Sequence, residues 1–559
     1  MSTPPLFFAL HQSLLESACE AIVSRTHWSP YAEIPSATLY GERAKADGEA
    51  AYRGVLGQPF LLEGPDVSGV ACTEVSPYTG SLGIEYATYA VDDLVATSKA
   101  ALPTWRDAGT KVRTGVCLEI LARLNKHSFA IANATMHTTG QGFAMAFQAG
   151  GPHAQDRGLE AVATAWLATS VIPEQSLWCK PQSRRVPLAI RKHYHIVPRG
   201  IALVVACSTF PTWNTYPGLF ASLATGNPVI IKPHTQAVLP VAMTVRICQQ
   251  VLAEAGFDPR LVMMAAEDND TGIAKALATH AEVRLIDYTG GNFFGDWLSA
   301  NATQATLYKE QAGVNAILLD SVDDMAAVAK NLAFSVSLYS GQMCTTPQAL
   351  CIPRDGINTA QGWLSFDEVT QQLCSAINTL LSDPEQAAGV LGAIANPAIA
   401  QRLEHLAASQ SVLLGSKTQP IPGCDNAVYR TPLVLLADVQ DHIWRQEHFG
   451  PVVFIVAIDS TEQGLAVIAQ TIAIKGALTL GVYSTDEAVL DNAENVAIEQ
   501  GVALSCNLDG GIFINQSAAF SDFHATGNNP AANAALIDPA FVASRFAVVQ
   551  SRRPAVDAH

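Results

Sequence analysis

In the stretch Ser340-Gly341-Gln342-Met343-Cys344-Thr345-Thr346-Pro347, a cysteine follows Gly-Gln between an amphipathic run, Asp323 to Leu338, and an apolar segment, Ala349 to Ile352. That placement predicts a loop at an element end, where a scaffold can present a nucleophile. The thiolate is the form that attacks carbonyl carbon. A free thiol with pKa near ~8.5 is only a few per cent ionised at neutral pH, so a cation, a base or a helix N-terminus must assist it. Elsewhere Thr289-Gly290-Gly291 ends a predicted strand, Val283 to Tyr288, and a glycine turn at such a point lets a nucleotide approach backbone amides. Taken singly, a buried structural cysteine and a plain strand-to-helix turn are the commoner explanations of these two features, and neither feature decides anything.

The elements that must position these residues form two alternating series. Ile201 to Ala206 is a continuous apolar run, as expected of a buried parallel strand, and it follows the turn Pro198-Arg199-Gly200. Helix Gly218 to Ala224, strand Val229 to Ile231, helix Val238 to Ala255, strand Val262 to Met264, helix Gly272 to Thr279 and strand Val283 to Tyr288 continue the pattern. Strict alternation predicts a doubly wound α/β domain. A second series starts at strand Ala316 to Leu319 and runs through strand Ala349 to Ile352, helix Phe366 to Leu381, strand Pro451 to Ile458, helix Gly464 to Ile474, strand Ala477 to Tyr483 and helix Glu487 to Ile498. Before both series, helical spacing marks residues 11 to 25, Arg43 to Tyr52, Val91 to Trp105, Val112 to Ala132 and about Asp156 to Ser170. Val186 to Val197 reads as an extended ribbon in which Pro187 suits an edge, and Ser544 to Gln550 reads as one last strand. The expected division is 1–182 for an N-terminal extension and the first part of the cofactor domain, 183–197 for the ribbon, 198–309 for the cofactor domain, 310–515 for the catalytic domain and 516–559 for the tail.

Composition narrows the function classes. The chain has 559 residues, 49% of them hydrophobic and 15% charged, which suits two or three packed domains rather than a disordered chain. A net charge of −17 argues against nucleic acid or an anionic membrane surface as the main partner, since those contacts rest on Lys and Arg. Small molecules are the expected partners. The eleven cysteines are scattered and include no CxxC pair, the pattern of a reducing cytosol without a structural metal. No apolar run reaches the roughly 18 residues needed to cross a bilayer, and Met1 to Leu6 lacks the basic start of a secretory signal. A cytoplasmic location is therefore expected. The common dinucleotide fingerprint GxGxxG and the GKS/GKT phosphate loop are both missing from the sequence.

Several stretches acquire meaning together: Thr209-Phe210-Pro211-Thr212-Trp213-Asn214, Gly226-Asn227-Pro228-Val229-Ile230-Ile231-Lys232-Pro233, Tyr288-Thr289-Gly290-Gly291, Lys309-Glu310-Gln311-Ala312-Gly313-Val314-Asn315, Gly341-Gln342-Met343-Cys344 and Gln446-Glu447-His448-Phe449-Gly450-Pro451. In this order the set resembles the aldehyde dehydrogenase superfamily over about residues 75 to 550. The Thr26-His27-Trp28-Ser29-Pro30-Tyr31 stretch resembles the phenylacetic acid degradation (PaaN) subgroup. The resemblance implies an α/β fold with a Rossmann-type cofactor domain, an α/β catalytic domain and a small oligomerisation ribbon in a homodimer or homotetramer. It implies Cys344 as nucleophile, Glu310 as general base, Lys232 at the adenosine ribose, and Glu447 and Phe449 at the nicotinamide end of NAD or NADP. The implied reaction is oxidation of an aldehyde, for this subgroup a semialdehyde of aromatic catabolism, through a thiohemiacetal and a thioester.

Two positions depart from the family pattern. Thr209 stands where the family places an asparagine that donates to the oxyanion, and removing such a donor can cost ~3 kcal/mol of transition-state stabilisation. Asn214 is a possible substitute, though an asparagine near a helix start more often caps it. Thr235 stands where many NAD-preferring members carry a glutamate that repels a 2′-phosphate, which predicts use of NADP as well as NAD. The competing functions are a CoA-acylating dehydrogenase and a catalytically impaired scaffold subunit with this fold. A carboxylate at Glu310 favours water over CoA as the acyl acceptor, and Cys344, Glu310 and Glu447 together argue against the scaffold.

Overall fold

The computed structural model describes residues 7–183, 185–268, 272–311, 313–421, 423–515 and 520–555. The chain begins with α1 (Phe7–Ser24) and α2 (Ala44–Arg53), followed by α3 (Val91–Asp107), α4 (Thr110–Lys126), α5 (Ser128–Thr139) and α6 (Pro152–Ser170). The single helix expected over Val112 to Ala132 is two, because the backbone leaves the helical region at His127 (φ −101°, ψ 10°).

Next comes an antiparallel pair, β1 (Gln175–Gln182) and β2 (Arg185–Pro198). Then follow β3 (Ile201–Val205), α7 (Thr215–Ala224), β4 (Val229–Lys232), α8 (Leu239–Glu254), β5 (Val262–Met264), α9 (Ile273–Thr279), β6 (Val283–Thr289), α10 (Asn292–Asn301) and β7 (Thr306–Glu310). These strands make a parallel five-stranded sheet in the order β5-β4-β3-β6-β7. All five residues of β3 are buried, as an apolar run with helices on both sides requires. The order reverses between β3 and β6, and the carboxyl ends of strands at such a reversal form the crevice where open α/β sheets bind ligands.

The second series contains β8 (Ala316–Leu319), α11 (Met325–Ser337), β9 (Ala349–Pro353), α12 (Phe366–Leu380), α13 (Pro397–Ser409), β10 (Ser411–Leu414), β11 (Leu433–Asp438), β12 (Val452–Ile458), α14 (Thr461–Lys475), β13 (Thr479–Tyr483), α15 (Glu487–Gln500) and β14 (Ala503–Cys506). Its seven strands run β10-β11-β12-β9-β8-β13-β14, parallel except at the β10–β11 edge. Helix starts are well marked. Asp324 accepts from the Ala326 and Ala327 amides at α11, and Ser365 with Glu368 forms a reciprocal capping box at α12.

The last strand, β15 (Phe546–Pro554), pairs antiparallel with β2 to give a third sheet, β15-β2-β1. The β2 ribbon is thus the centre of its sheet, not an edge. Among the described residues, β15 pairs with β2 only as far as Ile190, so Pro187 faces no strand on that side that needs its missing N–H. At the foot of β15, Arg545 is fully buried and pairs with Asp287 on β6 at 2.6 Å. Removing one partner of such a pair costs about 3–5 kcal/mol, because the other charge is left buried and unpaired. Of the weakly patterned tail stretch Gln516 to Ala535, residues 516–519 lie outside the described residues, as do Met1 to Leu6.

Candidate active site

Residues from one edge of each large sheet meet at a single point. Glu310 is the final residue of β7, at the carboxyl edge of the five-stranded sheet, and Thr289-Gly290-Gly291 leaves the same edge from β6. Cys344 precedes β9, Asn315 precedes β8, and Glu447 to Phe449 precede β12, so all of these sit at the amino edge of the seven-stranded sheet. A nucleophile on one edge and a carboxylate on the other meet between them.

The cysteine loop is held in an unusual backbone conformation. Tyr339 (φ 53°), Ser340 (φ 50°) and Gly341 (φ 65°) are consecutive left-handed residues, sparsely populated for the first two. Such strain persists only where the surroundings over-determine it. Here the Tyr339 hydroxyl donates to the Thr139 carbonyl (2.6 Å), the Ser340 hydroxyl to the Gly392 carbonyl (2.9 Å), and the Gln342 amide to the Tyr339 and Ala393 carbonyls. The Asn315 amide nitrogen holds the Cys344 carbonyl at 2.8 Å, while its oxygen accepts from the Leu478 and Thr479 amides. Tyr339 and Tyr216 are fully buried with bonded hydroxyls, so they are core residues.

Beside Cys344 stands a residue that the sequence does not single out. His524 Nε2 is 4.0 Å from Cys344 Sγ in hydrogen-bonding geometry and 3.0 Å from Glu310 Oε2. His524 is 3% exposed and Glu310 5%. Both Glu310 oxygens lack a linear hydrogen bond among the described residues, the imidazole contact being an ion-pair approach off the ring's N–H direction. Burial acts to raise the Glu310 carboxyl, but the charge of His524 and the contacts with His524 and Cys344 outweigh it and hold the carboxyl below its ordinary value. The Cys344 thiol is pushed well up, first by burial and then by the Glu310 carboxylate.

The tail carries His524 into place by stitches to both sides. The Ser521 amide donates to Glu160 (2.5 Å), Arg157 to the Asp522 carbonyl (2.9 Å), the Gln311 amide to the Ala531 carbonyl (2.6 Å), and the Lys309 amide to Asn533 (2.7 Å). The Trp213 ring meets the imidazole edge-on at 4.9 Å.

The other expected site residues fall around this centre. Cys344, Glu447 and Phe449 line one open pocket of about 270 Å³ with Gly341 and Asn315; Glu310, Asn214, Tyr288 and Thr289 line another of about 340 Å³. The Thr209 hydroxyl faces Cys207 Sγ at 3.9 Å. Asn214 precedes α7 but makes no side-chain cap bond. Its oxygen accepts from Cys207 (3.3 Å), and its amide nitrogen is buried without a partner among the described residues. Lys232, at the end of β4, is held by Glu267 at 2.5 Å. Thr235 is half-buried, and because α8 starts only at Leu239 it is not that helix's cap. Gly290 is required by packing, since a β-carbon would strike the Tyr288 phenol, whereas at Gly291 a β-carbon would meet open space. Glu447 is half-buried, and burial, opposed only by Arg402, pushes its carboxyl up to about 7.

Comparison with known proteins agrees with this geometry. The model of the aldehyde dehydrogenase family matches residues 71–507. The chain belongs to that family. It is 25% identical over 436 residues to an N-succinylglutamate 5-semialdehyde dehydrogenase of Paraburkholderia xenovorans, covering 76% of this chain and 82% of that one. It is 23% identical over 329 residues to a lactaldehyde dehydrogenase of Methanococcus maripaludis, and the match spans only 64% of that relative's length. The fold superposes with a TM-score of 0.97 on the crystal structure of an NAD-dependent aldehyde dehydrogenase from Burkholderia multivorans, 54% identical with 99% of each chain covered. Among the described residues, no helix of this family member is long and apolar enough to cross a membrane.

Proposed function

We propose that this protein oxidises an aldehyde to a carboxylic acid with NAD or NADP as acceptor. The observation that carries the reading is the convergence of Cys344 and Glu310 from two sheet edges onto one buried point. Cys344 Sγ adds to the aldehyde carbon, and the pocket holds the resulting thiohemiacetal. Bound nicotinamide would supply the oxidant, taking hydride from the aldehyde carbon. Glu310 then takes a proton from the water that attacks the thioester, for which its buried oxygens, without a linear hydrogen bond among the described residues, suit it.

The chain's residues fit the cofactor at several points. Lys232, Thr235 and the Gly290-Gly291 turn lie at the carboxyl edge of the five-stranded sheet, where the crevice of such sheets receives nucleotides. The half-buried Glu447 carboxylate makes no hydrogen bond among the described residues, as suits a group that accepts from ribose hydroxyls, and Phe449 lines the same pocket as Cys344. The Burkholderia multivorans neighbour is described as NAD-dependent, which supports NAD as one acceptor.

Resemblance to the PaaN subgroup favours a semialdehyde of aromatic catabolism as substrate. Eleven cysteines, all unpaired, suit a cytoplasmic setting. The β15-β2-β1 sheet, which stands apart from both α/β sheets and exposes Leu177, Leu188, Val548 and Val549, suits pairing between subunits of a homodimer or homotetramer. The proposed division keeps this ribbon as a unit between a cofactor domain and a catalytic domain.

The decisive assay follows reduced-cofactor absorbance with a panel of aldehydes, including CoA-linked semialdehydes, with and without free CoA. A carboxylic acid product formed without CoA is expected, and Glu310→Gln should accumulate an acyl-enzyme visible by mass spectrometry. A strict requirement for free CoA would replace hydrolysis by acyl transfer, and no activity with any aldehyde would leave the scaffold reading.

A further inference from the structure

We propose that His524 is the base that receives the Cys344 thiol proton as Sγ attacks the aldehyde. This rests on Cys344 being the nucleophile and assigns to an imidazole a step that a carboxylate would otherwise serve.

Three observations carry it. First, Nε2 lies 4.0 Å from Sγ in hydrogen-bonding geometry, so in the tautomer with the proton on Nδ1 its lone pair faces the thiol. Second, the buried Glu310 Oε2 stands 3.0 Å from the same nitrogen, placed to balance an imidazolium once the proton has arrived. Third, the ring is fixed in a dry site. It is 3% exposed, edge-on to Trp213, and its backbone carbonyl accepts from the Leu536 amide at 2.9 Å.

In the step itself the S–H bond breaks and the S–C bond forms. The carbonyl π pair moves to oxygen and the proton rests on Nε2, so a neutral pair becomes an oxyanion and an imidazolium held by the Glu310 carboxylate. The charged and titratable groups facing the pair are Glu310, Cys207 and Glu447, with Arg157 over the far side of Trp213. All but Arg157 are neutral or negative and disfavour a thiolate standing alone. A proton acceptor at hydrogen-bonding distance therefore does what the local field does not. A neutral imidazole is a stronger base than a carboxylate, which suits it to take a proton from a thiol.

The test needs neither cofactor nor aldehyde. The rate of iodoacetamide alkylation of Cys344 is followed by peptide mass spectrometry from pH 5.5 to 9.5 in the full-length protein. In the wild type the rate is expected to level off below pH 8. In His524→Gln it should climb about tenfold per pH unit to pH 9, as for a thiol without a base, and be at least tenfold slower than wild type at pH 7. In Glu310→Gln the levelling should move to lower pH, because the imidazolium loses its facing carboxylate. A wild-type rate that climbs tenfold per unit through pH 9 overturns the proposal without any variant, so misfolding of His524→Gln cannot shield it. Superimposable wild-type and His524→Gln curves overturn it too, as does levelling that vanishes in Glu310→Gln but survives in His524→Gln. None of these results touches the nucleophile assignment, which falls only if Cys344→Ala turns over.

Discussion

Gly341 and Gly450 are packed backbone to backbone: a β-carbon on Gly341 would sit inside van der Waals contact of the Gly450 carbonyl. The contact couples the loop that presents Cys344 to the loop that carries Glu447 and Phe449. Gly341 also has φ 65°, so any side chain there is strained twice over. Gly341→Ala should displace both loops and lower kcat/KM by about 100-fold, the scale expected when reacting groups move by about 1 Å. Steady-state kinetics beside a thermal melt would check it; unchanged kinetics would show that the coupling is not felt at the site.

Cys344→Ala should abolish turnover while leaving cofactor affinity within about threefold, because the nucleophile is removed and the ribose contacts are not. Titration by nucleotide fluorescence separates the two effects. Residual turnover would place the nucleophile elsewhere.

Asn214 has a buried amide nitrogen with no acceptor among the described residues, whereas the Thr209 hydroxyl already faces Cys207. The oxyanion donor is therefore expected at Asn214. Asn214→Ala should lower kcat about 100-fold with little change in KM, and Thr209→Val should stay within about threefold. The opposite ranking would return the role to Thr209.

With its carboxyl up at about 7, Glu447 is largely protonated at pH 6 and largely ionised at pH 8. A ribose-holding carboxylate accepts hydrogen bonds at full strength only when ionised, so nucleotide affinity should rise with pH across that window, by at most about tenfold for a single titrating group. Glu447→Gln should flatten the dependence. Calorimetric titration at pH 6, 7 and 8 reads it, and a variant that keeps the slope would assign it to another group.

Thr235 places no negative charge beside the expected 2′-position, so NADP should be used at least as well as NAD. A phosphate monoester carries about −1.5 to −2 charges at neutral pH, so Thr235→Glu should cost NADP at least tenfold in kcat/KM. A wild-type preference for NAD of tenfold or more, or a variant that keeps NADP, would show that selection lies at another position.

Apolar runs located β3 to β6 of the first sheet and β8, β9, β12 and β13 of the second to within a few residues, because buried parallel strands are apolar throughout; β7, β10, β11 and β14, and helices α10 and α13, were not read. Cys344 was legible from its place at an element end, and Glu310 only through the family resemblance. His524 was not: it lies in a stretch rich in Ala, Asn and Gly, where no periodicity marks it, and its partners are remote in sequence. Only the stitches from Glu160, Arg157, Gln311 and Lys309, invisible in a linear reading, bring it to the site. Strand β1 was missed for a related reason, since its mostly exposed residues give no alternation to detect.

Delivery of the imidazole by so distant a segment also sets a clock. His524 follows Cys344 by 180 residues, so a ribosome adding 5–20 residues per second needs roughly ten to forty seconds after the cysteine before the histidine exists. Through that interval the growing polypeptide carries the Cys344 thiol without the imidazole proposed to take its proton. A nascent chain cut or stalled short of residue 524 would hold both large sheets and an idle thiol, inert toward the electrophiles of the cell rather than half-active among them.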